Sequence, residues 1–156
     1  MTGSGKETLL MLSVSLMLLL TACTHNGGYI GPWGGTWHLE NIETGDFEEI
    51  GYAGNVFWKF QADVIDMVET DDKMHERHDH YGTWHASEDS RILTLDFSHG
   101  SDKYPEGSPD YIPPKVTGLR EGLTYLEVLM LSGKRMKLRW NDAESGISRI
   151  YILKKQ

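Results

Sequence analysis

Cysteine is nearly absent: the chain holds one, Cys23. No intramolecular disulfide, CxxC redox pair or cysteine-rich zinc site can form from it. Basic side chains are in deficit, 15 against 23 acidic ones for a net charge of −8. That balance argues against nucleic acid as a partner and against adsorption of the domain to anionic lipid headgroups. No apolar run reaches the roughly 20 residues of a membrane-spanning helix; the longest, Leu9 to Leu20, is broken by Ser13 and Ser15. Beyond it no window has the spacing of an amphipathic helix, and Gly45 to Gly51 has room for one short turn at most. Glycine-x-serine-x-glycine elbows, His-Glu-x-x-His pairs and, past Lys6, phosphate-cradling glycine loops are all missing. The expectation is therefore a protein that is no enzyme and carries no cofactor.

What is present begins with an address. Lys6 in a short polar start, the run Leu9 to Leu20 and the small residues after it have the three regions of a signal peptide. Leu20-Thr21-Ala22-Cys23 resembles the lipobox of bacterial lipoproteins. The resemblance implies cleavage before Cys23, a lipid on its thiol and acylation of the new amino terminus. Each buried methylene contributes about 0.8 kcal/mol, so two or more chains anchor stably where one does not. By the same resemblance Thr24, in place of an aspartate, implies sorting to the outer membrane. The lack of an acidic run beside Cys23 favours the periplasmic side. Residues 1–22 are thus expected to be a signal peptide, 23–34 a lipidated, glycine-rich tether and 35–156 the domain. Within the tether Tyr29 and Trp33 are placed either at the headgroup level or at one end of the fold.

From Gly35 onward the pattern alternates with period two. The clearest case is Arg135 to Trp140, where Met136, Leu138 and Trp140 share one face and Arg135, Lys137 and Arg139 the other. Similar runs place Trp37 with Leu39; Val56, Trp58 and Phe60; Leu93, Leu95 and Phe97; Leu126, Val128 and Met130; and Ile150 with Ile152. Turn residues separate them at Gly45-Asp46, Gly51 to Asn55, Glu88-Asp89-Ser90, Ser132-Gly133 and Asn141-Asp142. With Val64 to Thr70 and His78 to His85 the count is about eight short strands. The expected fold is all-β, an antiparallel up-and-down meander closed into a barrel or folded as a sandwich. Of the five prolines, all but Pro32 fall between Ser98 and Pro114. That segment is expected to be a long loop, either functional or an insertion across the barrel mouth.

Gly35-Thr36-Trp37, together with Gly82-Thr83-Trp84 leading into Leu93-Thr94-Leu95, resembles the small lipocalin-like lipoproteins of Bacteroidetes-type bacteria. The resemblance implies that the Trp37 indole closes the barrel floor and that a late arginine packs on it, a place for Arg139 or Arg149. It departs from the usual lipocalin pattern in having no disulfide.

The polar constellation that stands out is MHERHDHYGTWH, Met74 to His85. On a continuous strand His78, His80, Gly82 and Trp84 share a face, so two imidazoles converge, and Asp79 and His75 lie close by. One strand supplies at most two ligands, which makes His75, His78 and His80 an incomplete metal set and a hydrated strand end the stronger reading. Gly82 is also a candidate bulge. The acid pairs Glu48-Glu49 and Asp71-Asp72 read as loop charge. Trp37, Trp58, Phe60, Trp84 and Trp140 are expected in the interior and are the candidate contacts for a small, apolar ligand. The rival reading is an interaction module of an envelope complex, its lumen filled and its contacts Tyr104, Tyr111 and Ile112 in the Ser98 to Pro114 loop.

Overall fold

The computed structural model describes residues 30–44, 51–71, 73–98 and 111–156. The expected signal peptide, Cys23, Thr24, Tyr29, the Gly45-Asp46 turn, Glu48-Glu49, Asp72 and Tyr104 lie outside the described residues. Eight antiparallel strands follow one another round a closed barrel. They are β1 (Gly35–Thr44), β2 (Val56–Gln61), β3 (Val64–Asp71), β4 (Glu76–Ala86), β5 (Ile92–Phe97), β6 (Gly122–Leu131), β7 (Arg135–Asn141) and β8 (Ser148–Lys155). The ring closes where β8 pairs with β1, from Trp37↔Lys155 to Thr44↔Arg149. No helix among the described residues is long and apolar enough to cross a membrane.

Alternation builds the wall. On β7 Met136, Leu138 and Trp140 are buried, while Arg135 is exposed and reaches Glu40 at 2.5 Å and Arg139 reaches Glu127 at 3.1 Å. On β2 Val56, Trp58 and Phe60 point inward, and on β5 Leu93, Leu95 and Phe97. Each such side chain, fully removed from water, contributes about 1.5–3 kcal/mol before the entropy of ordering is subtracted.

Three expectations about which face points inward are corrected. Met130 is 52% exposed, because the β6–β7 register shifts between Val128 and Met130. The bulge turns Met130 outward and lets Leu131 pack on the core instead. On β8 Ile150 is buried outside the inward core cluster and Ile152 is half-buried, while Tyr151 and Leu153 belong to that cluster. Their partners decide it: Leu138 opposes Tyr151 and Met136 opposes Leu153, so the inward rows must coincide. Gly82 is no bulge, since the β3–β4 register runs unbroken from Val64↔Thr83 to Asp71↔Glu76. A Cβ at Gly82 would stand 2.8 Å from the Asp96 carbonyl oxygen and 2.9 Å from the Phe97 ring, so glycine allows close approach there.

The barrel has a floor and a mouth. At the floor a 3-10 turn, Gly31–Trp33, tucks Trp33 against Phe60 and Trp84, with ring centroids 5.9 Å away in both cases. Of the two places open to Trp33, the structure has the end of the barrel. The Trp37 indole N–H donates to the Trp33 carbonyl at 2.7 Å, which fixes the turn to β1. The mouth is the end where β1 leaves and β2 returns, between Thr44 and Val56, and where β5 leads to β6.

Candidate functional site

The interior is graded from floor to mouth. Its lower half is filled by aromatic rings: Phe60 meets Trp84 edge to face at 5.0 Å, and Trp58 lies 6.5 Å from Phe60 and 5.7 Å from Tyr151. Trp37 and Trp58 have no exposed surface, and Phe60, Trp84 and Trp140 are buried. All five aromatic residues expected inside are there. The buried indole N–H groups of Trp58 and Trp84 have no hydrogen-bond partner.

The floor is capped by a cation that was not expected. Lys155 Nζ sits 5.2 Å above the Trp37 ring and 3.5 Å from the Pro32 carbonyl oxygen. Neither arginine considered for that role takes it. Arg139 faces outward toward Glu127, and Arg149 lies at the other end with its Cζ 5.5 Å from the Trp140 ring.

Polar side chains enter the wall near the mouth. The β3–β4 register pairs Met67 with His80 and Glu69 with His78, so His78, His80, Gly82 and Trp84 share the inner face. His78 is nevertheless exposed at the rim, 3.5 Å from Glu76. His80 is buried, and its Nδ1–H donates to the Ile112 carbonyl at 3.0 Å while Nε2 stands 3.8 Å from a Glu69 oxygen. His75 sits in the preceding turn with φ 54. Among the described residues no three His, Cys, Asp or Glu side chains group as metal ligands. Tyr52, whose hydroxyl accepts from the Val56 N–H at 2.7 Å, is pushed up to about 12 by burial, with the nearby Glu69 charge adding to the rise.

A roof crosses the mouth. From its contact with His80 on β4 the chain runs through buried Pro113 and Pro114 and a 3-10 turn, Lys115–Thr117, to β8. There Tyr151 Oη donates to the Thr117 carbonyl at 3.0 Å, and burial holds the phenol well above its ordinary pKa. β4 and β8 are four strands apart in a ring of eight, hence on opposite sides. Thr117 is fully buried, its hydroxyl donating to the Pro114 carbonyl at 2.7 Å, and Leu119 joins the core. Beyond it Arg120 pairs with Asp142 at 2.7 Å and with Glu144, stitching the segment to the β7–β8 turn. The described part of the proline-rich loop therefore crosses the mouth, with Tyr111 against Tyr81 on the outside at 6.3 Å. The proline content signals the loop; nothing in it signals where the loop goes.

The sequence matches a family model for the lipocalin-like domain over residues 18–147. The chain belongs to the lipocalin-like family. Among solved structures, this lipocalin-like chain is similar to a lipocalin-like protein from Bacteroides uniformis, with 17% identity, TM-score 0.57, and 81% of this chain and 100% of that one covered. It is similar in the same degree to a protein from Bacteroides eggerthii, with 16% identity, TM-score 0.57, and 80% and 99% covered. At such identities the likeness is one of fold. No curated protein matches the sequence.

Proposed function

We propose that this lipocalin-like chain is a binding protein of the bacterial envelope, taking a small, apolar molecule into the mouth half of its barrel. The observation that carries the reading is the roof. An apolar interior is covered by a segment tied across the opening by His80 to Ile112 and Tyr151 to Thr117, and anchored beyond by Leu119 in the core and by the Arg120 pairs with Asp142 and Glu144; such an irregular segment opens at lower cost than the strands it covers. An eight-stranded barrel is either filled by its own side chains or just wide enough for one small ligand. Trp140 lies toward that opening, and Trp58 and Tyr151 join it to the aromatic plug of Trp37, Phe60 and Trp84. The work is binding rather than catalysis. Titration of the mature domain with hydrophobic dyes and fatty acids tests it: tryptophan emission should shift and saturate. Emission unmoved by every candidate removes the proposal.

The same reading includes attachment by lipid at Cys23 and residence at the outer membrane on its periplasmic face, supported by the likeness of Leu20 to Cys23 to a lipobox. Growth with an alkyne-tagged palmitate should label the wild-type protein and leave Cys23→Ser unlabelled and released from the membrane fraction. Label retained by Cys23→Ser excludes the anchor.

A second reading, an interaction module of an envelope complex, is favoured by one separate observation. Leu123 and Tyr125 on the outer face of β6 are 57% and 60% exposed, with Ile92 of β5 beside them at 38%. Replacing Leu123 and Tyr125 by glutamate should then abolish co-purification of an envelope partner while ligand titrations stay unchanged.

A further inference from the structure

Arg149 is the one cation that points into the barrel near its mouth among the described residues of β7 and β8. Its place follows from register: it opposes Trp140 on one side and Thr44 on the other, in the inward row that continues with Tyr151 and Leu153. The guanidinium lies over the Trp140 ring. Its Nε and Nη1 are buried and make no hydrogen bond.

Among the described residues, the buried carboxylate of the β7–β8 turn, Asp142, is committed elsewhere. Asp142 takes Arg120 at 2.7 Å, the Ser145 hydroxyl at 2.5 Å and the Glu144 N–H at 3.1 Å. The neighbouring phenol of Tyr151 gives its proton to Thr117. Arginine has donors only, and the π face of Trp140 covers the flank of this half-buried side chain while its Nε–H and Nη1–H are left without acceptors. Buried donors left this way carry a desolvation cost that an anion would remove.

The roof is shaped around this group. Gly118, at φ 69, ends the Lys115–Thr117 turn directly over the guanidinium; a Cβ there would stand 2.8 Å from Nε and 3.0 Å from Cζ. The segment that must lift to admit a ligand therefore rests on Arg149 itself.

We infer that Arg149 receives the carboxylate of an amphipathic acid, so that the ligand class is an apolar chain or ring system ending in a single carboxyl group, not a neutral hydrocarbon. This rests on the binding function proposed above and narrows it. A planar fork of N–H donors matches a carboxylate in two parallel hydrogen bonds, and the Trp140 face beneath holds the fork in plane. One cation balances one negative charge, which selects a carboxylate over a doubly charged phosphate monoester.

The test compares palmitate, its methyl ester and hexadecyl phosphate on the wild-type domain, Arg149→Met and Arg149→Lys. Charge-assisted hydrogen bonds to a carboxylate are worth about tenfold or more in affinity. Palmitate should therefore bind wild type at least about tenfold tighter than the ester. Arg149→Met should bind both equally, and Arg149→Lys should keep part of the preference. Without ligand, Arg149→Met should melt at the same temperature as wild type or higher, because two buried N–H donors without acceptors have been removed. Ester and acid bound equally by wild type would overturn the role of Arg149 while leaving the apolar pocket standing. Tighter binding of the phosphate would overturn the choice of a carboxylate. A lower melting temperature for both variants, with the acid preference unchanged, would make Arg149 a packing post. No binding of any of the three would remove the apolar-ligand reading together with this one.

Discussion

His80 and Ile112, far apart in sequence, are joined by one hydrogen bond of 3.0 Å from the imidazole Nδ1–H to the peptide oxygen, and this bond holds one side of the roof. A buried bond of that kind contributes about 0.5–1.5 kcal/mol net, and removing one partner costs the other its desolvation. His80→Ala should therefore lower unfolding stability by about 1–2 kcal/mol. Amide exchange should accelerate in 111–119 and stay unchanged in the floor residues of β1. Uniform acceleration would mean that His80 holds the barrel and not the roof.

Lys155 over Trp37 gives a prediction about the opposite end. A cation on an indole face is worth about 0.5–1 kcal/mol when partly exposed and more when dry. Lys155→Ala should lose about that amount in urea unfolding, while Lys155→Arg should retain it. Equal losses from both would show that a positive charge over the ring is not what stabilises the floor.

Gly82 has no room for a side chain. Gly82→Val should cost about 1–3 kcal/mol by driving branched carbons into the Asp96 carbonyl and the Phe97 ring, and Gly82→Ala less. The same exchanges at Gly133, whose Cβ would meet nothing, are the control. Similar denaturant midpoints for the two sites would contradict the close approach of β4 and β5.

One half-buried phenol, Tyr52, and one buried phenol, Tyr151, set the alkaline limit. Tyr52 is raised to about 12 from 10.0, and Tyr151 is raised as well. Both keep their protons in the folded state at a pH where the unfolded chain releases them, so their contribution is complete below the unfolded value of 10.0 and is lost as pH rises toward the folded values. Denaturant midpoints should be flat up to about pH 9 and fall steeply above pH 10. Tyr52→Phe and Tyr151→Phe should each make that fall shallower, and a slope unchanged in both would place its origin elsewhere.

Much of the barrel was legible in advance because water marks one face. Arg135, Lys137 and Arg139 leave Met136, Leu138 and Trp140 only one way to point. Where both faces are apolar that mark disappears. Arg149 to Leu153 reads equally well in either phase, and only the register with β7 decides that Tyr151 and Leu153 go inside. The β6 bulge has no local signal in Val128 to Leu131, since all four side chains there are apolar and the shift is a matter of pairing.

At the candidate site the tryptophans were readable as interior by size and spacing, and the histidine row by alternation. Arg149 and Lys155 were not, because a charged residue at the end of a strand ordinarily belongs to solvent, and it takes an indole from another strand to hold it over the lumen. The roof was foreseeable as an irregular segment from its prolines, but its landing points are single carbonyl oxygens, which no side-chain pattern encodes.

The chain enters beside Trp33 under the floor, and its last residue, Gln156, donates its N–H to the Thr36 carbonyl at 3.0 Å on that same side. The two ends of the described domain, Ile30 and Gln156, thus lie at the pole farthest from the opening. A dye, an immobilising tag or a fusion partner joined at Ile30 or Gln156 is attached on the side away from the entrance. A sensor chip that holds the domain through Gln156 grips it by the floor and leaves the mouth to the solution.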